Sequence, residues 1–321
     1  MTKLIDTLLL LALPASGKSE VRTYMASLTP EQCRDELGLG HTVQLDDYPY
    51  VHLMRRIDEE LGALDKPTIF FAAQDKPFRD GKNWGTLIQL VNEDYEDLHN
   101  KAVAEPESAA EHLFSRVEAA QAVVGANPVL KELDASLRST LAERLDKECA
   151  EQLAEKHANY PASLEGKTIV IEFARGGPDG SDMPLPEPYG YAYSLSKLSE
   201  KILGRSSVLY VWVTPEESRR KNEERARPDE QGSILHHGVP IDVMLGDYGC
   251  DDMAYLLEQS GKPNTIVVNK GDASFELKVG RFDNRVDLTS FIRDEPADWS
   301  AEDKAKLHAG LSQACLALAA S

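Results

Sequence analysis

The chain has 321 residues, 42% of them apolar and 7% aromatic, enough for one large or two modest globular cores. Its formal net charge of −19 argues against a nucleic-acid partner, whose phosphates are met by basic surfaces, and no apolar stretch has the length of a membrane span. The four cysteines, Cys33, Cys149, Cys250 and Cys315, lie far apart with no C-x-x-C pair, which speaks against structural zinc and a disulfide framework and for a reducing cytoplasm.

The first predicted element is a strand over Leu4–Ala12. A short loop follows, Leu13-Pro14-Ala15-Ser16-Gly17-Lys18-Ser19, and a helix pattern begins at once. The spacing is that of G-x-x-x-x-G-K-[ST], with Ala12 in the place of the first glycine. In such a turn the backbone N–H groups wrap phosphates, the lysine neutralises the β/γ oxygens and the serine hydroxyl ligates Mg2+. The positive end of the following helix dipole meets the same anion. Lys3, the apolar run and the small residues near Ala15 and Ser16 also outline a secretory leader; Asp6 and the shortness of the Leu8–Leu13 run set that reading aside.

A second strand is predicted over Thr42–Leu45, ending in Asp46-Asp47. Ligands of open α/β sheets bind beyond the carboxyl ends of the strands. Asp46 is therefore a candidate to take a proton from an attacking hydroxyl or to hold Mg2+ through water, with Asp47 beside it; the alternative is a plain turn before Pro49. Thr68–Ala73 reads as a further strand or part of an edge. Strand signals then vanish. Leu133, Leu137, Leu141 and Leu145 repeat every four residues on one face of a long amphipathic helix, and Glu105-Pro106 and Asn127-Pro128 mark breaks before it. This predicts a helical insert over 86–162, forming either the wall of a substrate cleft or a packing extension.

The third strand, Thr168–Phe173, carries Glu172 near its end and runs into Arg175-Gly176-Gly177. Glu172 suits Mg2+ or its water shell, and Arg175 beside two glycines suits an anionic substrate group approached closely by backbone; the alternative is a buried Glu–Arg pair. After the fourth strand, Ser207–Val213, Thr214-Pro215-Glu216-Glu217 is a helix start. That helix carries Arg219, Arg220, Lys221, Arg225 and Arg227, a lid for a transferring phosphoryl group or a solvated face laced with i,i+4 ion pairs. Arg219 and Arg225 do not share a face. The stretch Pro228–Gly232 is a candidate hinge, and His236-His237 reads as loop or packing rather than metal site.

A fifth strand is expected over Thr265–Asn269, and Asn269-Lys270-Gly271-Asp272 after it matches the N-K-x-D pattern of guanine-binding GTPases. Ser274–Val279 and Asn284–Leu288 are expected to pair as a terminal hairpin. A last helix from near Ser300 carries Leu307, Leu311, Cys315 and Leu318 on one face. Strands alternating with helices predict a doubly wound α/β fold with a mostly parallel five-stranded sheet, its core formed by 1–85 and 163–321.

LALPASGKSEV resembles the GLPGSGKST opening of the small P-loop kinases, the broad class holding adenylate, shikimate and gluconate kinases. The order of features over 1–85 and 165–272 is similar too: phosphate loop, acids after the second strand, an acid and glycines after the third, an Arg-rich segment after the fourth. The resemblance implies a P-loop NTPase in which MgATP donates its γ-phosphoryl group to a small-molecule acceptor such as a nucleoside, nucleotide or sugar. It implies that Lys18 and Ser19 hold phosphate and Mg2+, Asp46 orients or deprotonates the acceptor, and Arg225 or a neighbour such as Arg219 closes the lid. Ala12, the long insert and the FARGG sequence depart from the familiar members. A regulatory NTPase, with the insert as a partner-binding arm, is the alternative from a different class.

Overall fold

The computed structural model describes residues 4–225 and 238–319. Pro228–Gly232, Arg227, His236 and His237 lie outside the described residues. The amino-terminal half runs β1 (Thr7–Leu11), α1 (Lys18–Ser27), α2 (Pro30–Leu37), β2 (His41–Asp46), α3 (Tyr48–Ala63), α4 (Asn83–Asn100), α5 (Ala109–Val124) and α6 (Ala135–Ala158). It continues with β3 (Lys167–Phe173), α7 (Gly190–Lys197), α8 (Glu200–Leu203), β4 (Ser206–Trp212) and α9 (Pro215–Arg225). After 238 come α10 (Ile241–Asp247), α11 (Met253–Gln259), β5 (Thr265–Lys270), β6 (Ala273–Asp283) and α12 (Ala301–Ala319). No helix among the described residues is long and apolar enough to cross a membrane.

The strands form one six-stranded α/β sheet in the order β2-β3-β1-β4-β6-β5, parallel except for β5. A central parallel strand is buried on both faces, which is why β1 reads as an unbroken leucine run. Its side chains alternate. Leu9 and Leu11 pack with Ile88, Val91 and Tyr95 of α4 and with Leu195 of α7. Leu8 and Leu10 pack with Val21 of α1 and with Leu307 and Leu311 of α12. Helices thus cover both faces, as a doubly wound fold requires.

Three expectations are corrected. The strand after β4 in the parallel order is not Thr265–Asn269 but β6, whose Val279–Asp283 half pairs with Val208–Trp212. β5 folds back on β6 as an antiparallel edge. Asn284–Leu288 is accordingly a turn beyond β6 rather than a strand, with Asn284 fully buried and its N–H donating to Trp212 O at 2.9 Å. Thr68–Ala73 joins the sheet nowhere; its backbone is satisfied otherwise, since the Asp58 carboxylate accepts from the N–H groups of Ile69, Phe70 and Phe71 at 2.7, 3.2 and 2.8 Å.

The insert differs in its first helix. α4 packs one face on the sheet through Ile88, Val91, Tyr95 and Leu98, and Tyr95 Oη lies 3.1 Å from Thr7 Oγ1. Its other face, with Trp84, Leu87 and Leu90, joins α3, α5 and α6 in a cluster that reaches Met244 and Tyr248. Only α5 and α6 stand clear of the sheet. The predicted leucine repeat holds within α6 for Leu137, Leu141 and Leu145, the last two fully buried, but Leu133 lies before the helix, which is capped by Asp134, whose Oδ1 accepts from Leu137 N–H at 2.9 Å. Because this cluster is continuous with α3, Leu145→Ala should lower stability by about 2–5 kcal/mol. Urea unfolding followed by tryptophan fluorescence should show one transition shifted to lower midpoint; an unchanged midpoint would separate α6 from the core.

Candidate active site

β1 delivers the chain to the carboxyl edge of the sheet, and residues 12–17 turn it back into α1. Gly17, at φ 99°, and Ala15, at φ 55°, both take left-handed backbone. Gly17 has a second reason to be glycine: a Cβ there would run into the side chains of Thr289 and Asn284. The loop's carbonyls are held from outside. Ser218 Oγ donates to Pro14 O at 2.7 Å, Asn284 Nδ2 to Ser16 O at 2.7 Å, and Ser16 Oγ to Leu13 O at 2.6 Å. Lys18 Nζ reaches back to the carbonyls of Ala12 and Leu13 at 3.2 and 3.3 Å. Burial lowers its pKa, opposed by Glu172. No hydrogen bond among the described residues reaches the backbone N–H of Ala15, Ser16, Gly17, Lys18 or Ser19. Five consecutive donors without partners among the described residues, in a largely buried turn at a helix start, are the kind of arrangement that can receive an anion.

The sheet register sets the next groups. Asp46 on β2 pairs directly with Glu172 on β3, and Glu172 pairs in turn with Leu10 of β1, so two carboxylates stand side by side next to the loop. Arg22, one turn into α1, lies between them, 3.4 Å from Asp46 Oδ2 and 3.1 Å from Glu172 Oε2. Glu172 Oε2 is buried without a hydrogen bond, its approach to Arg22 being ionic and poorly aligned. Burial, then Glu172 and Asp47, push the Asp46 carboxyl up to about 7, although its Oδ1 accepts from Tyr48 N–H at 2.7 Å.

Arg175, placed above with the substrate, instead braces the site from behind. It is 2% exposed, 2.7 Å from Asp47 Oδ2, and donates to Ser194 Oγ at 2.9 Å and to the carbonyls of Ala174 and Trp84 at 2.6 and 3.3 Å. Three of its five N–H donors are committed, its charge is paired with Asp47, and it does not line the cleft. Gly176 and Gly177 do permit a close backbone approach, but of the chain to itself. A Cβ on Gly176 would meet Asp247 O at 2.9 Å, and Gly177 exchanges 2.9 Å hydrogen bonds with Cys250 O and Gly249 N–H.

Helix α9 starts as its sequence predicts, with Thr214 Oγ1 accepting from Glu217 N–H at 3.2 Å. Its inner face is Ser218, Lys221, Asn222 and Arg225. Arg225 Nη2 donates to both oxygens of Glu20, at 2.8 and 2.9 Å, and Arg293 Nε donates to the same carboxylate at 2.8 Å. Arg225 Nε has no partner among the described residues, and Arg225 lines the cleft. Arg219 sits on the other face, held by Asp179 at 3.3 Å, and takes no part in the cleft. Asn269–Asp272 lies at the β5–β6 turn. β6 meets β4 only from Val279 onward, so this turn is at the amino end of the sheet, opposite the loop, and cannot flank a base there.

The cleft so formed has a volume of about 310 Å³. Beyond Pro14–Ser16, Lys18, Ser19, Asp46, Asp47 and Glu172 its wall includes Arg55, Phe71, Trp84, Asp247 and Tyr248. α5 and α6 do not reach it; they wall a separate cavity of about 580 Å³ that shares Asp46, Tyr48 and His52 with it. Among the described residues no three His, Cys, Asp or Glu side chains cluster to hold a metal by themselves. The Ser19 hydroxyl with Asp46 and Glu172 is a hard oxygen set suited to Mg2+ that brings phosphate and water ligands of its own.

Sequence reasoning missed Glu20, Arg22, Ser218, Asn284, Arg55 and Asp247. Glu20 and Arg22 had a signal, directly after Gly17-Lys18-Ser19; the others come from segments whose position depends on strand order. No family model matches the chain, and no curated protein or solved structure matches it.

The Asp46 environment is testable alone. A carboxyl whose folded pKa is raised from 3.8 to about 7 is costly when ionised, so the cost is full above about pH 7 and absent below about pH 4. Asp46→Asn should therefore raise Tm by a few degrees at pH 8 and leave it nearly unchanged at pH 4. Equal shifts at both pH values would contradict the assignment.

Proposed function

We propose that the protein is a Mg2+-dependent phosphotransferase that moves the γ-phosphoryl group of ATP to a small hydroxyl-bearing acceptor. One observation carries the reading: the unpaired amides of Ala15–Ser19, with Lys18 at their end and Asp46 and Glu172 beside them. The resemblance to small P-loop kinases supports it, as does the central place of β1 between β3 and β4. The loop amides and the α1 dipole bind the phosphate tail. The Lys18 ammonium, held at the loop by two carbonyls, recovers a favourable environment for its charge when an anion enters. Ser19, Asp46 and Glu172 hold Mg2+ directly or through water, and the metal when bound neutralises charge on the transferring group. Asp46, titrating near neutrality, accepts the acceptor's proton. Arg225, steadied by Glu20, offers its unpartnered Nε to the phosphoryl oxygens. Catalysis of this kind is positioning and charge stabilisation. The guanine-binding pattern, which favoured a nucleotide switch, stands at the wrong end of the sheet for that role.

Calorimetry with MgATP tests the loop. Lys18→Ala should weaken binding by about 100-fold, roughly 2.7 kcal/mol, without loss of fold. Binding equal to wild type would remove the loop from the account. Asp46→Asn, assayed at saturating MgATP, should lower acceptor-dependent turnover by roughly 10²–10⁴-fold, abolishing the acid limb of the rate profile near pH 7. A variant with the limb intact would assign the proton elsewhere.

A further inference from the structure

Arg55 on α3 and Asp247 at the end of α10 are charged side chains of the cleft that have no role in the reading above. Asp247 is 4% exposed and has no ion-pair partner among the described residues. Burial pushes its carboxyl up to about 7, and the attraction of Arg55 and Arg175 and a contact with Trp84 offset only part of that cost. Arg55 also lacks a carboxylate within salt-bridge distance among the described residues, whereas its neighbour Arg56 holds Glu59, Glu60 and Glu148. The Arg55 guanidinium lies 3.8 Å over the Phe71 ring. It donates at 2.6 Å to Gln74 O and at 3.5 Å to Lys76 O, which leaves most of its five donors free.

Both groups line the same cleft and do not touch. Mobile opposite charges in one half-enclosed cavity would close on each other; here each is pinned. Arg55 is fixed by the ring and two carbonyls. The Asp247 backbone is held by close packing, its carbonyl lying where a Cβ on Gly176 would come within 2.9 Å. A fixed cation and a fixed acid across a gap are complementary to a ligand of inverse polarity. The planar fork of arginine matches a carboxylate, and a nearly buried aspartate that feels Arg55 and Arg175 but is in salt-bridge contact with no cation among the described residues matches an ammonium. Asp47, whose Oδ2 is buried without a hydrogen bond despite its ion pair with Arg175, adds a second acceptor on the same wall. The volume of about 310 Å³, shared with the phosphate end, limits the acceptor to a small molecule.

We propose that Arg55 and Asp247 select the phosphoryl acceptor, and that the acceptor is a small hydroxylated zwitterion, its carboxylate on Arg55 and its ammonium on Asp247. This rests on the phosphotransferase reading and narrows its substrate class. Transfer would form an O–P bond at the acceptor hydroxyl and break the bond between the γ-phosphorus and its bridging oxygen, the hydroxyl proton going to Asp46 and ADP leaving.

The test is binding to the full chain by thermal shift and calorimetry, without nucleotide. The probes are L-serine and L-homoserine, which carry both charges, glycerate, which carries only the anion, and ethanolamine, which carries only the cation. At least one zwitterion should bind roughly tenfold or more tighter than either singly charged probe, the value of one good charged contact. In Arg55→Gln it should bind no better than ethanolamine, and in isosteric Asp247→Asn no better than glycerate, with urea unfolding confirming the fold of each variant. Glycerate or ethanolamine binding as tightly as the zwitterions, unchanged selectivity in both variants, or no shift with either zwitterion would overturn the proposal. MgATP binding is measured separately on the same samples. Selective zwitterion binding without ATP binding would uphold the zwitterion site but fail the phosphotransferase reading on which its acceptor role rests, and the converse would fail only the acceptor assignment.

Discussion

The site depends on how six residues of backbone, 12–17, are bent. Their carbonyls are drawn outward by Ser218 and Asn284, from segments more than two hundred residues away, and inward by Ser16 and Lys18. With the acceptors occupied, the amides are the groups left facing an anion. The bend needs left-handed backbone at Gly17 and no Cβ there, because Thr289 and Asn284 fill that space. The sheet supplies the rest: β1 at the centre, β3 beside it and β2 beyond place Glu172 and Asp46 next to the loop through register alone.

Charge is apportioned around that bend in two ways. Some ions are locked to each other and serve as struts, for which the neutral cost of burial is offset by close pairing. Glu20 with Arg225 and Arg293 ties α1 to α9 and to the turn near Arg293, and Arg175 with Asp47 ties the end of β3 to the start of α3. Others are left incompletely matched: Glu172 Oε2, Asp47 Oδ2, Arg225 Nε and the Asp46 carboxyl all line or border the same cleft. Struts fix positions, and the unmatched atoms are where a ligand gains most, since buried polar groups without partners are costly.

Much of this was legible in the chain. The tight turn after β1, the acids ending β2 and β3, and the α9 cap are local patterns, and local patterns survive folding when the strand that carries them is central. Arg219 and Arg225 could be separated by helical spacing, though not which of them faces inward. Two things were not legible. A parallel strand and an antiparallel edge strand share an apolar appearance, so Thr265–Asn269 was read as core while β6 took the place beside β4. That exchange moved Asn269–Asp272 away from the site and brought Asn284 into it. Arg175 and its glycines read as a ligand grip because buried self-contact and ligand contact ask for the same residues; only the partners, Asp47, Ser194 and Cys250, tell them apart.

The most direct measurement is amide hydrogen exchange over residues 13–22, with and without MgATP. Exchange at Ala15, Ser16, Gly17, Lys18 and Ser19 should slow on adding MgATP, while the Asn269–Asp272 turn stays unchanged. Unaltered exchange at these five amides under saturating MgATP would contradict the account.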